Sequence, residues 1–158
     1  MKTAIYAGTF DPVTYGHIEV IKRSLHLFDH IIIAIGTHHD KNPLFTVEER
    51  TQLITEALKG MKRVTIESFD GLLTDFAHHK KCSIIIKGLR AVSDFEMEFQ
   101  QALTNRKIAE DIETVFVMTS QDYVYLSSSL VKEIAAHHGP LDPFVPKHVE
   151  LQLRKKFR

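Results

Sequence analysis

Apolar runs and amphipathic segments alternate along the whole chain. Five short stretches are rich in apolar residues, most of them continuously, and we predict a strand over each: Ala4–Ala7, Ile31–Ile35, Val64–Ile66, Ile84–Ile86 and Val115–Met118. A strand that is apolar at successive positions has both of its faces covered, as in a parallel sheet with helices on each side. The pattern therefore predicts an α/β fold with a doubly wound, five-stranded parallel sheet.

The segments between these runs have the spacing and the end signals of helices. Thr46–Glu49 and Ser93–Glu96 each match a capping box, in which a hydroxyl and a glutamate satisfy each other's backbone N–H groups. The first box predicts a helix that stops at Gly60, and the second predicts a long helix through about Ala109. Further helices are predicted from residue 18 onward, over Leu72–His79, over Leu130–His138 with an N-cap in Ser127–Ser129, and from Pro146 to about Lys156.

Composition narrows the class of protein without naming a partner. The chain has 158 residues, the length of one ordinary domain, and we expect residues 1–158 to form a single domain. Lys plus Arg and Asp plus Glu both number 20, so the net charge gives no reason to expect nucleic acid or a membrane as a partner. The one cysteine, Cys82, fits a reducing compartment, and no signal-peptide pattern opens the chain, so we expect a cytoplasmic protein.

Basic and donor-rich residues cluster in the loops that follow the predicted strands. In parallel sheets of this kind, ligands bind beyond the carboxyl ends of the strands, so these loops should meet at one edge. Converging cations and hydrogen-bond donors suit a polyanion such as a nucleoside triphosphate. The loop Gly8–Gly16 contains Thr9 and is followed by His17, and the loop Gly36–Phe45 contains Lys41. The loop Lys87–Ala91 contains Lys87, Gly88 and Arg90, and the loop Thr119–Ser129 ends in serines.

The string from Gly8 to His17 is the most specific of these signals. Gly-Thr-Phe-Asp-Pro follows an apolar run, and Thr14-x-Gly16-His17 comes immediately before an amphipathic helix. Backbone N–H groups at a helix N-terminus are unpaired and lie at the positive end of the helix dipole, so they attract phosphate. Either glycine alone would be explained by an ordinary turn, but the whole string predicts a nucleotide-phosphate site. At Gly88 we expect either a close backbone approach to a ligand or a positive φ.

Several other functions lack their sequence signatures. The chain contains no G-x-x-x-x-G-K-[ST] phosphate loop, no G-x-G-x-x-G fingerprint after the first strand and no G-x-S-x-G nucleophile motif. Its ten histidines occur mostly as adjacent pairs, which point to different faces of a helix and make poor chelates. We therefore expect these histidines at the surface and assign no metal ligands.

Three blocks of the sequence resemble one enzyme family. The block from Gly8 to His17 resembles the T/HxGH signature of the nucleotidyltransferase superfamily, which has a Rossmann-like fold. Lys87–Glu96 and Leu126–Glu133, in this order and spacing, are similar to the bacterial phosphopantetheine adenylyltransferases. The resemblance spans nearly the whole chain. It implies transfer of the adenylyl group of ATP to 4′-phosphopantetheine with Mg²⁺, a hexameric assembly, and coenzyme A as a feedback inhibitor.

The resemblance also implies roles for individual residues. Thr9 would orient the attacking phosphate, while Lys41 and His17 would stabilise the transition state at the α-phosphate. The phosphopantetheine contacts would be Thr9, Lys41, Leu73 and Lys87, with Asn105 as a weaker candidate. The ATP contacts would be Thr9, Phe10, His17, Gly88, Leu89, Arg90, Glu98, Tyr123, Val124, Tyr125, Leu126, Ser127, Ser128 and Ser129, of which Arg90, Ser128 and Ser129 would hold the β- and γ-phosphates.

One position departs from the family pattern, and two other functions stay open. The family usually has arginine where this chain has Lys87, and lysine offers a point charge in place of arginine's planar fork. The departure bears on substrate affinity more than on reaction class. The open alternatives are another adenylyl- or cytidylyltransferase of the same superfamily and a non-catalytic nucleotide-binding regulator.

Overall fold

A parallel sheet organises the computed structural model, which describes residues 1–37, 42–90 and 92–158. Within these residues the sheet has five strands in the order β3-β2-β1-β4-β5, and every neighbouring pair is parallel. The chain moves outward from β1 to β3 and then returns to the other side of β1 with β4. The order therefore reverses between β1 and β4, where sheets of this type bind ligands. The strands are β1 (Thr3–Gly8), β2 (His30–Gly36), β3 (Val64–Phe69), β4 (Ile84–Leu89) and β5 (Glu113–Met118).

Helices cover both faces of the sheet. On β1, Ala4 and Tyr6 belong to one apolar cluster, whereas Ile5 and Ala7 belong to a second cluster on the opposite face. The predicted doubly wound α/β fold is therefore confirmed. None of the described helices has both the length and the apolar character needed to cross a bilayer. The helices are α1 (Tyr15–Ser24), α2 (Val47–Ala57), α3 (Leu73–His79), α4 (Val92–Ile108), α5 (Ser128–Ala136) and α6 (Lys147–Lys156).

The helix ends follow the predicted caps in three places. Thr46 and Glu49 form the predicted capping box at the start of α2. Ser127 is the N-cap of α5, and its side chain accepts from the Leu130 N–H. Pro146 occupies the N-cap position of α6, one residue before the helix that it was predicted to open. Local side-chain chemistry is therefore sufficient to place these three ends to within two residues.

The predicted capping box at Ser93 is wrong. Helix α4 begins at Val92, so Ser93 lies inside the helix and does not precede it. Strand β4 ends at Leu89, which leaves only residues 90 and 91 to connect it to α4. Because the strand and the helix are joined so closely, the position of the strand end, and not the local cap motif, sets the start of the helix.

Candidate active site

A cavity of about 770 Å³ opens at the carboxyl edge of the sheet, where β1 and β4 end. It brings together most of the residues that the sequence singled out. Lys41 lies outside the described residues, although Asn42 and Pro43 line the cavity. Leu89, Tyr123, Val124 and Tyr125 do not line it, so a nucleotide contact from these four residues stays a prediction. The predicted residues that do line it are Thr9, Phe10, His17, Leu73, Lys87, Gly88, Arg90, Glu98, Asn105, Leu126, Ser127, Ser128 and Ser129.

His17 has a defined tautomer because it also caps helix α1. Thr14 is the N-cap residue, and its backbone N–H donates to Nδ1 of His17 over 3.1 Å. In return, the backbone N–H of His17 donates to the Thr14 hydroxyl oxygen over 3.4 Å. Since Nδ1 accepts a hydrogen bond, the ring proton of the neutral imidazole sits on Nε2. Among the described residues, Nε2 has no hydrogen-bond partner, so it can donate to a group in the cavity.

The imidazole of His17 is neutral at physiological pH. Burial lowers the pKa of His17 to about 4, and the nearby charge of Arg90 acts in the same direction. The ring of Phe10 packs against the imidazole with its centroid 5.0 Å away. His17 therefore offers a hydrogen bond without bringing a full positive charge into the cavity.

The first loop folds tightly beneath the cavity. Phe10 is buried and has φ of 50°, the left-handed region that is costly for a residue with a side chain. A Cβ on Gly8 would lie only 3.1 Å from Cζ of Phe10, so the glycine leaves room for the Phe10 ring to fold back over the strand end. This packing presents Thr9 to the cavity while it buries Phe10 below.

Lys87 is held by two residues of helix α4. Its Nζ lies 3.2 Å from a carboxylate oxygen of Glu98 and donates to Oε1 of Gln101 over 2.9 Å. The side chain of Lys87 is only 13% exposed, so these contacts are partly shielded from solvent. The carboxylate of Glu98 thus pairs with Lys87 in the wall of the cavity. Its position on a helix alone would have suggested a solvated surface carboxylate.

The positive φ expected at Gly88 is wrong, whereas a close approach of its backbone to a ligand stays a prediction. Gly88 lies inside β4 and is not among the glycines with positive φ, which are Gly60 and Gly71. A Cβ at this position would lie 3.0 Å from Cγ2 of Val20 and 3.4 Å from the Tyr6 hydroxyl oxygen. The glycine therefore lets β4 approach helix α1 and β1 closely, which keeps the end of β4, and with it Arg90, near the helix that carries His17.

The start of α5 forms the far wall of the cavity. The Ser128 hydroxyl donates to the Pro12 carbonyl oxygen over 2.8 Å, and this bond joins α5 to the first loop. Arg90 donates from Nη1 to the Leu126 carbonyl oxygen over 2.7 Å. Within the described residues the Ser129 hydroxyl makes no hydrogen bond, so it could donate to a ligand, whereas Ser128 could offer its backbone N–H and its oxygen lone pairs.

Sequence reasoning did not assign several polar residues at or behind the cavity to the site, among them Gln101, Lys132, Asp11 and Arg50. Gln101 and Lys132 line it, and Asp11 lines it beneath Lys132, which forms an ion pair with Asp11 at 2.8 Å. Arg50 lies behind the first loop and is 2% exposed. Gln101 carries no signal that separates it from any polar helix residue. Arg50 lies on the buried side of α2 with Leu53 and Ile54. A charged residue at an inward-facing helix position is unusual, so the sequence did contain a signal for a special role of Arg50.

Of the described histidines, only His17 lines the cavity. His78 contacts Asp111 over 3.0 Å on the exposed surface. The part of the chain that the structure describes contains no group of three or more His, Cys, Asp or Glu side chains that could hold a metal ion. His38 and His39 lie outside the described residues.

The comparisons with known proteins agree on one class of enzyme. The cytidylyltransferase-like family matches residues 5–134. The phosphopantetheine adenylyltransferase of Caldanaerobacter subterraneus subsp. tengcongensis is 53% identical over 158 residues, covering 100% of this chain and 99% of that protein. The proteins of the same name from Thermodesulfovibrio yellowstonii and Geobacter sulfurreducens are 52% and 49% identical, covering 99% of this chain and 98% and 95% of their own.

A solved structure supports the fold independently. The nicotinic acid mononucleotide adenylyltransferase of Plasmodium falciparum, complexed with NaAD, superimposes with a TM-score of 0.69 over 99% of this chain and 96% of its own. Its sequence identity is 14%, so this likeness bears on the fold alone. The parallel sheet and the cavity at its switch point define a nucleotidyltransferase of the cytidylyltransferase-like class. With about half of its residues identical to those relatives over its whole length, the chain belongs to the phosphopantetheine adenylyltransferase family.

Proposed function

We propose that this chain catalyses transfer of the adenylyl group from ATP to 4′-phosphopantetheine in coenzyme A biosynthesis. A phosphate oxygen of phosphopantetheine forms a bond to the α-phosphorus, the bond from that phosphorus to the bridging oxygen breaks, and pyrophosphate leaves. The products are dephospho-coenzyme A and pyrophosphate. The observation that carries the proposal is 53% identity over the whole chain to the phosphopantetheine adenylyltransferase of Caldanaerobacter subterraneus subsp. tengcongensis.

The polar lining of the cavity suits two anionic reactants. Lys87, Arg90 and Lys132 supply positive charge, and the N-terminus of α5 adds backbone N–H donors. Two polyanions repel each other, so the main task of the site is to hold their phosphates close and in line. The attacking phosphate is already ionised near neutral pH, so the reaction needs no general base.

Individual roles follow the position of each residue in the cavity. Thr9, at the end of β1, would orient the attacking phosphate, and Nε2 of His17 would donate to an oxygen on the α-phosphorus. Arg90, with Ser129 and the backbone of Ser128, would hold the β- and γ-phosphates. Leu73, Lys87 and Asn105 line the part of the cavity formed with α3 and α4, which would take phosphopantetheine. Lys41 remains assigned to the transition state by family resemblance alone.

The described cavity carboxylates do not form a ready-made Mg²⁺ site. Asp11 accepts from two backbone N–H groups and from Lys132, and Glu98 faces Lys87. Mg²⁺ commonly enters such sites on substrate phosphates and keeps several of its waters. We therefore propose that it arrives bound to ATP, where it would neutralise phosphate charge, and we assign it no protein ligand.

Assembly into a hexamer and inhibition by coenzyme A are proposed by family resemblance. A cytoplasmic location is proposed because the single cysteine fits a reducing compartment. A compound that shares the pantetheine arm and the nucleotide of the product would compete for the same cavity. Inhibition by coenzyme A should therefore weaken as the phosphopantetheine concentration rises.

Product analysis tests the reaction directly. The purified protein is incubated with ATP, Mg²⁺ and 4′-phosphopantetheine, and the products are identified by mass spectrometry. Dephospho-coenzyme A with an equal amount of pyrophosphate is expected, and pantetheine without the phosphate serves as the matched control acceptor. Turnover of nicotinate mononucleotide or glycerol phosphate in place of phosphopantetheine would assign the chain to another branch of the superfamily. ATP binding without turnover of any acceptor would favour a nucleotide-binding regulator.

A further inference from the structure

Arg50 is the largest side chain that the described core buries completely. Its guanidinium has no carboxylate in ion-pair contact among the described residues. It donates instead to three backbone carbonyl oxygens. Nη1 contacts the carbonyl oxygens of Thr9 at 2.7 Å and Gly36 at 2.9 Å, and Nε contacts that of Phe45 at 3.2 Å.

These three carbonyl groups belong to the segments that form one side of the cavity. Thr9 follows β1 directly, Gly36 ends β2, and Phe45 lies just before α2. Gly36 and Phe45 also bracket the stretch 37–44, of which Asn42 and Pro43 line the cavity. A single side chain from α2 therefore holds the Thr9 backbone and both ends of this stretch in one fixed arrangement.

The carboxylate of Asp11 completes the arrangement from the opposite side. It accepts the backbone N–H groups of Leu44 and Phe45, each over 2.9 Å, and Nζ of Lys132 over 2.8 Å. Phe45 therefore gives its carbonyl oxygen to Arg50 and its N–H to Asp11. Because Lys132 belongs to α5, this chain of contacts extends from α2 across the first loop to the helix that carries Ser129.

Stability alone does not account for a buried guanidinium at this position. Burial of a cation carries a large desolvation penalty, which an apolar side chain of similar volume avoids. The pKa of Arg50 is lowered by burial, and the charge of Asp11 opposes that shift. The guanidinium donates three hydrogen bonds in fixed directions, which an apolar side chain cannot do.

We propose that Arg50 is a positioning residue for adenylyl transfer. It acts through the backbones of Thr9, Gly36 and Phe45, and it fixes where the attacking phosphate stands relative to the α-phosphate. The proposal rests on the proposed function and adds to it a residue that touches neither reactant. Loss of the arrangement should lower kcat strongly while it changes the KM for ATP little, since the ATP contacts on α5 and β4 remain.

The test compares Arg50→Lys with Arg63→Lys. Lysine carries its donors on one nitrogen and cannot reproduce the separate Nε and Nη1 bonds. Arg63 is the matched control, because it also donates to a backbone carbonyl, that of Phe28, but lies just before β3 at the opposite edge of the sheet. Arg50→Lys should lower kcat by about 10- to 100-fold, the scale expected when reacting groups are misplaced by about an ångström, with the KM for ATP within threefold of wild type. Arg63→Lys should leave kcat within about twofold.

Two further measurements separate positioning from general destabilisation. Amide hydrogen exchange at Leu44 and Phe45 should accelerate in Arg50→Lys and not in Arg63→Lys. In Arg50→Ala, methylguanidinium should restore part of the lost kcat, whereas methylammonium at the same concentration should not. Activities are expressed per ATP-binding site, counted by calorimetry, so that unfolded protein does not contribute.

Other results of these experiments would contradict either the positioning role of Arg50 or the proposed adenylyl transfer. Wild-type kcat per binding site in Arg50→Lys, or a rise in the KM for ATP with kcat unchanged, removes the positioning role. Loss of all ATP binding in the lysine variant would make Arg50 a folding residue only. If the wild-type protein itself produces no dephospho-coenzyme A, it is the proposed function that fails, while the hydrogen-exchange result still reports on the Arg50 contacts.

Discussion

At the scale of single residues, His17 combines a structural role with a chemical one. Its Nδ1 closes the capping box of α1, which leaves Nε2 as a donor toward the cavity. The sequence placed His17 at a helix start and in a phosphate site, and both placements follow from its neighbours in the chain. The tautomer could not be predicted, because it depends on which nitrogen meets the Thr14 N–H in the folded protein.

Replacement of His17 by glutamine or alanine should separate the two roles. Glutamine also closes a capping box from this position, whereas alanine cannot. His17→Ala removes the preorganised donor and should lower kcat by on the order of 100-fold or more. His17→Gln keeps an amide N–H donor and should lose less activity. Only His17→Ala should also lose about 1 kcal/mol of unfolding free energy, measured by urea denaturation. Near wild-type turnover in His17→Ala would contradict the role as donor.

The pKa of His17 predicts a specific dependence of stability on pH. In the unfolded chain the imidazole takes up a proton near pH 6.5, whereas in the folded protein it does so only near pH 4. The folded state therefore binds fewer protons in this range, and its stability falls as the pH drops from about 6.5 toward 4. Urea midpoints measured from pH 7 to 5 should fall more steeply for wild type than for His17→Gln. Parallel curves for the two proteins would show that His17 titrates normally.

Lys87 and Gln101 form a second testable pair. A lysine ammonium has no preferred plane, so the Gln101 and Glu98 contacts fix its direction. Gln101→Leu should raise the KM for phosphopantetheine about three- to tenfold with little change in kcat. In a Lys87→Arg background, where the fork orients itself, the same substitution should have a smaller effect. Equal effects in both backgrounds, measured by steady-state kinetics, would rule out this coupling.

At the scale of secondary-structure elements, strands and helices were predictable but their close contacts were not. All five apolar runs lie inside observed strands, because burial on both faces leaves a continuous apolar signature. The strands β3 and β4 continue into polar residues such as Ser68 and Lys87, which that signature does not include. Gly88 shows the limit most clearly, since its role depends on Val20, which is far away in the sequence.

Gly88→Ala should therefore push two elements apart. The added methyl group would lie 3.0 Å from Val20 on α1, the helix that also carries His17. We expect a loss of about 1–3 kcal/mol of unfolding free energy, typical of overpacking, together with lower kcat. Gly60→Ala is not a suitable control, because Gly60 has φ of 87° and strains alanine for a different reason. A double variant, Gly88→Ala with Val20→Ala, should recover part of the lost stability and activity.

At the scale of the whole molecule, one surface remains exposed that a protein in water would normally cover. Phe95, Phe99 and Leu103 on one side of α4 and Met118 at the end of the edge strand β5 are all exposed large apolar residues. Phe95 and Phe99 stack on each other at 5.4 Å. Clustered exposed apolar residues often mark contacts between proteins, which is consistent with the proposed hexamer. The spacing of Phe95, Phe99 and Leu103 puts them on one side of α4, but the sequence alone could not tell whether that side packs against the sheet or stays exposed.

A charge on this surface tests the assembly. Light scattering behind size-exclusion chromatography should give the mass of a hexamer for the wild type and a smaller species for Phe99→Glu. Glu96→Gln is the control on the same helix, since it changes the net charge of α4 but places no new charge among the exposed apolar residues. A monomer at all concentrations in the wild type would contradict the hexamer and leave the reaction proposal untouched.

The single-domain prediction for residues 1–158 is tested by coincident urea transitions in fluorescence and circular dichroism.

The neutral state of His17 also constrains the design of inhibitors for this cavity. A compound that places a ketone, sulfone or phosphonate oxygen against Nε2 would satisfy the imidazole donor. A primary amine at the same point would present a donor to a donor. The Thr14 N–H bond to Nδ1 holds the ring proton on Nε2, so a change of tautomer that would suit an ammonium group would break the capping box of α1. Screening libraries for this protein should therefore favour acceptors at that position over bases.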